Sequence, residues 1–199
     1  MDECALVALE QELFRLLNLL RQSPRDFLST LAVQRPGRAP EVLKSLAVGT
    51  RLHLSYGLCC AARDVACYLR TFGFVVAHDA SDQPAASAFL DKYGQTRGLV
   101  WENFAYGFTS ALDALLQILT SSSPEIHGQR NQLWTADAHV VGIATARHSS
   151  EQTCLVLLLC SRFFDGREAG DTETEQPKVP SEFFPARIAK RVVSSVNST

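Results

Sequence analysis

The chain has 199 residues, enough for one domain with a sizeable core and short for two. Its 46% hydrophobic and 20% charged residues are the make-up of an ordinary globular protein. A net charge of −2 argues against nucleic acid as the main partner, and no apolar run is long enough to span a bilayer.

From Ala5 to Arg21, Leu6, Leu9, Leu13, Leu16, Leu17 and Leu20 recur at three- and four-residue steps, which predicts an amphipathic helix. Its start, Met1-Asp2-Glu3-Cys4, is acidic, and Glu10, Glu12 and Arg15 interrupt the apolar residues. A cleaved signal peptide needs a basic start and an unbroken apolar stretch, so the chain as written reads as intracellular. Ser23-Pro24 ends this helix and opens a second one through Phe27, Leu28 and Leu31, with Ser23 as N-cap and Pro24 at the first position. Residues 34 to 40 read as a loop, and Glu41 to Leu46 as one or two more helical turns.

A strong helix follows from near Ser55 to Phe72, with Leu58, Ala62, Val65, Leu69 and Phe72 on one stripe and Gly73 as its stop. Phe74 to Ala77 is a short apolar run leading to His78. After a polar loop, Pro84 opens a short helix ending near Tyr93-Gly94. Thr109 to Leu119 is a further helix, capped by Thr109 or Ser110, with Leu112, Leu115, Leu116 and Leu119 facing inward. His139 to Ala146 and Thr153 to Ser161 are β-prone runs joined by a polar turn at Ser149-Ser150-Glu151, which predicts antiparallel strands. Helices first and strands late suggest an α+β sandwich. From Asp165 the composition turns acidic and then proline-punctuated, so the domain is expected over residues 5–164 and a flexible tail over 165–199. The end of the tail alternates Ile188, Val192 and Val196 with Arg187, Lys190 and Arg191, a short basic amphipathic pattern.

Cys59, Cys60 and Cys67 share one helical segment, and Cys154 and Cys160 one strand. Six residues of strand separate the latter pair by roughly 20 Å, beyond disulfide reach. Bridges between segments stay open, but buried reduced thiols are the expected state, and no CxxC pair suggests a zinc knuckle.

The stretch Trp101-Glu102-Asn103-Phe104-Ala105-Tyr106-Gly107 sets a carboxylate and an amide among aromatic residues. Polar groups in such a setting usually have a hydrogen-bonding, metal or catalytic duty, because leaving them unpaired costs a few kcal/mol. His78 precedes this stretch and His127 follows it, and two histidines with a carboxylate are the makings of a small metal site.

In order, these segments resemble the CAP superfamily (cysteine-rich secretory proteins, antigen 5 and pathogenesis-related 1 proteins, or SCP-like domains), most like its bacterial and protist branch. Leu17-Asn18-Leu19-Leu20-Arg21-Gln22-Ser23-Pro24 is similar to the opening "LNxxRxxP", and Leu58-Cys59-Cys60-Ala61-Ala62-Arg63-Asp64 to "LxxAARD". Ala77-His78-Asp79, the Glu102-Asn103 pair with Tyr106-Gly107, and Arg130-Asn131 before Val141-Gly142-Ile143-Ala144 follow in the same order, over roughly residues 13 to 163. The resemblance implies a three-layer α-β-α sandwich (CAP-like) with a central antiparallel sheet. It also implies a cleft formed by His78, Glu102, Asp113 and His127, with His78 and His127 as metal ligands. Two positions depart from the family: Asp113 stands where a glutamate is expected, and His127 is one residue early in "GHR", where this chain has Gly128. A one-residue slip in extended backbone turns a side chain to the other face, and Asp is shorter than Glu by about 1.5 Å.

The expected function is therefore a non-catalytic CAP-like binding or interaction module with a degenerate cleft, and not an enzyme. The alternatives are a metal-assisted hydrolase, with zinc on His78 and His127 and Glu102 as general base, and a carrier of a small apolar ligand such as a sterol or fatty acid. No cofactor is expected, zinc being the cation the hydrolase would need. The partner classes in view are a protein or a small apolar ligand. Phe183-Phe184 could line a groove for such a ligand or tether the tail. The resembled family is mostly extracellular, in contrast to the intracellular reading of this chain.

Overall fold

The computed structural model describes residues 3–35, 48–72, 87–120, 133 and 135–166. Within them the order is α1 (Glu3–Gln22), α2 (Pro24–Gln34), β1 (His53–Leu54), α3 (Tyr56–Phe72), α4 (Ser87–Leu90), β2 (Gly94–Tyr106), α5 (Ala111–Thr120), β3 (Val140–His148) and β4 (Gln152–Asp165). The predicted turns at Glu41 to Leu46, the run Phe74 to Ala77 and the whole tail from residue 167 lie outside the described residues.

The four strands form one sheet in the order β1-β3-β4-β2. It is antiparallel except for β1, which runs parallel to β3 over two residue pairs. The β3–β4 hairpin is central, as its alternation predicts, and Val141, Ile143, Leu155 and Leu157 are fully buried. Strand alternation divides the core. Leu155, Leu157 and Leu159 meet α1, α2 and α5 on one face, while Cys154, Val156, Leu158 and Cys160 meet α3 and α4 on the other. Helices on both faces make the three-layer α-β-α sandwich that the CAP-like motifs imply. The thirteen-residue β2 has no counterpart among the predicted elements, and neither does β1.

Ser23 stands at the N-cap of α2 as expected but makes no side-chain capping hydrogen bond. Pro24 sits at the start of α2, where a missing N–H loses nothing. The Ser55 hydroxyl accepts the Leu58 N–H at the start of α3, and Asp165 accepts the Gly57 N–H and the Ser55 hydroxyl there. Gly142 lets α3 lie directly on β3, because a Cβ at that position would overlap the Leu58 backbone.

Candidate functional site

The motif residues that carry the family resemblance are built into the frame. Asn18 of α1 accepts the Leu52 N–H at 2.8 Å and donates to the Leu52 carbonyl at 3.3 Å, pairing with that residue as a neighbouring strand would. Three residues on, the fully buried Arg21 guanidinium donates to the carbonyls of Thr50, Leu133, Thr135 and Ala138, and to the Thr50 hydroxyl. One side chain thereby fastens two loop segments that would otherwise bury unpaired carbonyls.

Arg63 and Asp64 of α3 also work as ties. Because β1 covers only the start of β3, the remaining edge of β3 needs other partners. Cys59 Sγ accepts the Ile143 N–H at 3.5 Å, and Glu10 Oε1 accepts the Thr145 N–H at 2.7 Å and its hydroxyl at 3.0 Å. Arg63 donates to Glu10 Oε2 at 2.9 Å and to the Thr145 carbonyl at 3.4 Å. Glu10 is fully buried, and burial pushes its carboxyl above the ordinary range despite Arg63 and Thr145, which pull it down. Sequence periodicity places Glu10 as an interruption of the apolar face; it instead occupies that face, joining α1, α3 and β3. Asp64 accepts from Lys92 Nζ and from the Tyr93 hydroxyl, both at 2.7 Å, and burial pushes the Tyr93 phenol up to about 12.

Of the cleft residues inferred from the family, His78 and His127 lie outside the described residues. Glu102 and Asp113 are described, and they belong to different layers. Glu102, half-buried on β2, pairs with Leu158 and shares its row with Val100, Phe104 and Tyr106, which face α3. Asp113 sits on α5, packed against the opposite face. Its place is the third residue of that helix, and Ser110 Oγ caps the helix by accepting its N–H at 3.1 Å. Arg35 at the end of α2 donates to Asp113 Oδ1 at 2.6 Å, and the Thr109 hydroxyl to Oδ2 at 3.0 Å. Burial pushes the Asp113 carboxyl up, but Ser110, Thr109 and Arg35 together outweigh it and hold the group below its ordinary value.

A divalent cation needs converging oxygens and nitrogens with free lone pairs. As arranged, Glu102 and Asp113 do not fit a shared ion, since they face different layers and both Asp113 oxygens are engaged. Among the described residues no group of three or more His, Cys, Asp or Glu side chains is placed to hold a metal. The second member of the Glu102-Asn103 pair behaves differently again. Asn103 is fully buried on the row facing α5, and among the described residues neither its amide oxygen nor its nitrogen has a hydrogen-bond partner.

The remaining polar residues tie up strand ends. Gln117 of α5 donates to the Tyr106 carbonyl at 2.8 Å and accepts its N–H at 3.1 Å, covering the end of the β2 edge. His148 is buried beside Tyr106, and its Nδ1 accepts the Glu151 N–H at 3.2 Å, holding the β3–β4 turn.

In overall fold the chain is similar to an outer surface protein from Borrelia burgdorferi, with a TM-score of 0.51 at 17% identity, over 81% of this chain and 96% of that one. It is also similar to an extracellular protein containing an SCP domain from Bacillus anthracis, with a TM-score of 0.49 at 11% identity, over 81% of this chain and 44% of that one. No protein-family model matches the chain, and no curated protein matches it. At 17% identity the first likeness establishes a shared fold and nothing about chemistry. Among the described residues no helix is long and apolar enough to cross a membrane.

Proposed function

We propose that this protein is a non-catalytic CAP-like binding or interaction module. The observation that carries the reading is the engagement of Asp113: the one acidic position that would complete the family's cleft from α5 is spent on an ion pair with Arg35 and a hydrogen bond from the Thr109 hydroxyl. The charged residues of the family motifs point the same way, because Arg21, Arg63 and Asp64 all serve as ties between elements. The hydrolase reading would need Glu102 as a general base on zinc-bound water. Zinc-dependent turnover of ester and peptide substrates by the full chain tests it directly, compared with Glu102→Gln. No turnover above the zinc-only background is expected, and turnover that Glu102→Gln abolishes would overturn the module reading.

We place the module in a reducing, intracellular compartment as part of the same proposal, a reading that its six unpaired cysteines support. All six cysteines are free, and burial pushes Cys59 up to about 12 and Cys154 up to about 11, far from the thiolate that disulfide exchange requires.

A further inference from the structure

Beyond Cys160, β3 stops pairing, and β2 and β4 continue alone as a two-stranded ribbon, with Gly94 to Arg97 set against Arg162 to Asp165. A bulge at residues 98 and 99 separates this ribbon from the main sheet, and Gly98 takes the left-handed backbone (φ +95°) that the bulge requires. One face of the ribbon is exposed and carries Gln95, Arg97, Arg162 and Phe164. Arg97 and Arg162 are direct cross-strand partners. Their Cα atoms are thus roughly 5 Å apart, and like charges at that separation destabilise a strand pair. The Arg97 guanidinium lies over the Phe164 ring, 5.3 Å from its centroid, which keeps the charge on this face. Among the described residues no carboxylate pairs with either arginine. Phe164 (47% exposed) and Leu99 in the bulge (57%) are two of the few large apolar side chains the fold leaves open.

We propose that this ribbon face docks an acidic, extended peptide segment of a partner protein, whose carboxylates span Arg97 and Arg162 and whose apolar side chains rest on Phe164 and Leu99. An anion between the guanidiniums turns a repulsive pair into a bidentate clamp, and carboxylates suit the planar guanidinium fork. An open two-stranded face with an exposed aromatic ring beside the arginine pair matches an extended chain better than a compact ion. The protein's net charge of −2 disfavours an anionic membrane, which responds to the whole molecule's field, whereas a short peptide responds to the local patch. The surface includes neither Glu102 nor Asp113, so the inference goes beyond the module reading. Zinc and turnover measurements bear on that reading alone, and peptide binding bears on this one alone.

The test is a fluorescence-anisotropy titration of the full chain with a labelled peptide of alternating glutamate and threonine, beside a glutamine–threonine control. Saturable binding is expected for the acidic peptide only, weakened by added salt and by at least about tenfold, roughly 1.4 kcal/mol, in Arg97→Glu/Arg162→Glu. Both arginines are exposed, and circular dichroism checks that the variant keeps its fold. Equal binding by the variant, or no binding by the wild type, would overturn the proposal. So would binding to phosphatidylserine vesicles but not to the peptide. The chain's own Asp171, Glu173 and Glu175 repeat the alternation. Binding that emerges only in Asp171→Asn/Glu173→Gln/Glu175→Gln would make that segment the occupant and overturn a partner in trans.

Discussion

Glu10 is the residue where burial and charge compete most directly. Its carboxylate is fully buried, yet it is paired with Arg63 and takes two hydrogen bonds from Thr145. Burial still wins, so the folded-state pKa is raised from the unfolded value of 4.5. A raised value means that the folded protein holds a proton the unfolded chain has released. The stabilisation is fully present below pH 4.5 and is lost as the pH rises through the folded-state value. Wild type should therefore lose stability relative to Glu10→Gln as the pH rises above 4.5 in urea denaturation, and parallel pH profiles would contradict this. Asn103 gives an opposite kind of prediction. A buried amide without partners costs about 1–3 kcal/mol, so Asn103→Leu should raise stability by ~1 kcal/mol or more in the same assay. A loss of stability would mean that the amide is paired after all. Sequence patterning misjudges Glu10 because it assigns charge to solvent, and only tertiary placement reveals an unpaired strand edge in need of a carboxylate. Asn18 and Arg21 are noticeable through the family motif, while their actual task depends on loop segments about thirty and more than a hundred residues away.

At the level of elements, the central hairpin is legible because residues 139 to 161 are rich in branched apolar side chains broken by one polar turn. The helices are legible from leucine spacing and from the caps at Ser23-Pro24, Ser55 and Ser110. β2 is not. Its run contains Gly98 in a bulge, and Glu102 and Asn103 take positions on opposite faces, so no two-residue alternation survives in the sequence. β1 is two residues long and leaves no pattern at all. The register between α3 and β3 rests on Gly142, where a side chain would collide with the Leu58 backbone. Gly142→Ala should therefore destabilise the protein by about 1–3 kcal/mol, with the helix forced away from the sheet. A loss below about 0.5 kcal/mol by urea denaturation would show that the layers are not held at that contact.

For the whole molecule, the order of helical and β-prone segments reaches an α+β sandwich, the family resemblance supplies its three-layer form, and the motifs mark its internal ties. The chemistry is a separate matter. Of the four residues that the family resemblance assigns to a cleft, the two that are described, Glu102 and Asp113, lie on different layers, and Asp113 is engaged by Arg35 and Thr109. A shortened acid at that position is visible in the sequence; its engagement by Arg35 is not, because that depends on where α2 ends. The central claim is that the acidic residues assigned to a cleft by resemblance serve the frame instead, so that the proposed binding module has no working metal site. Calorimetric titration of the full chain with zinc near neutral pH, repeated with His78→Ala, tests that claim most directly. Weak heats that are the same for both proteins are predicted, and submicromolar binding that disappears in His78→Ala would contradict the account.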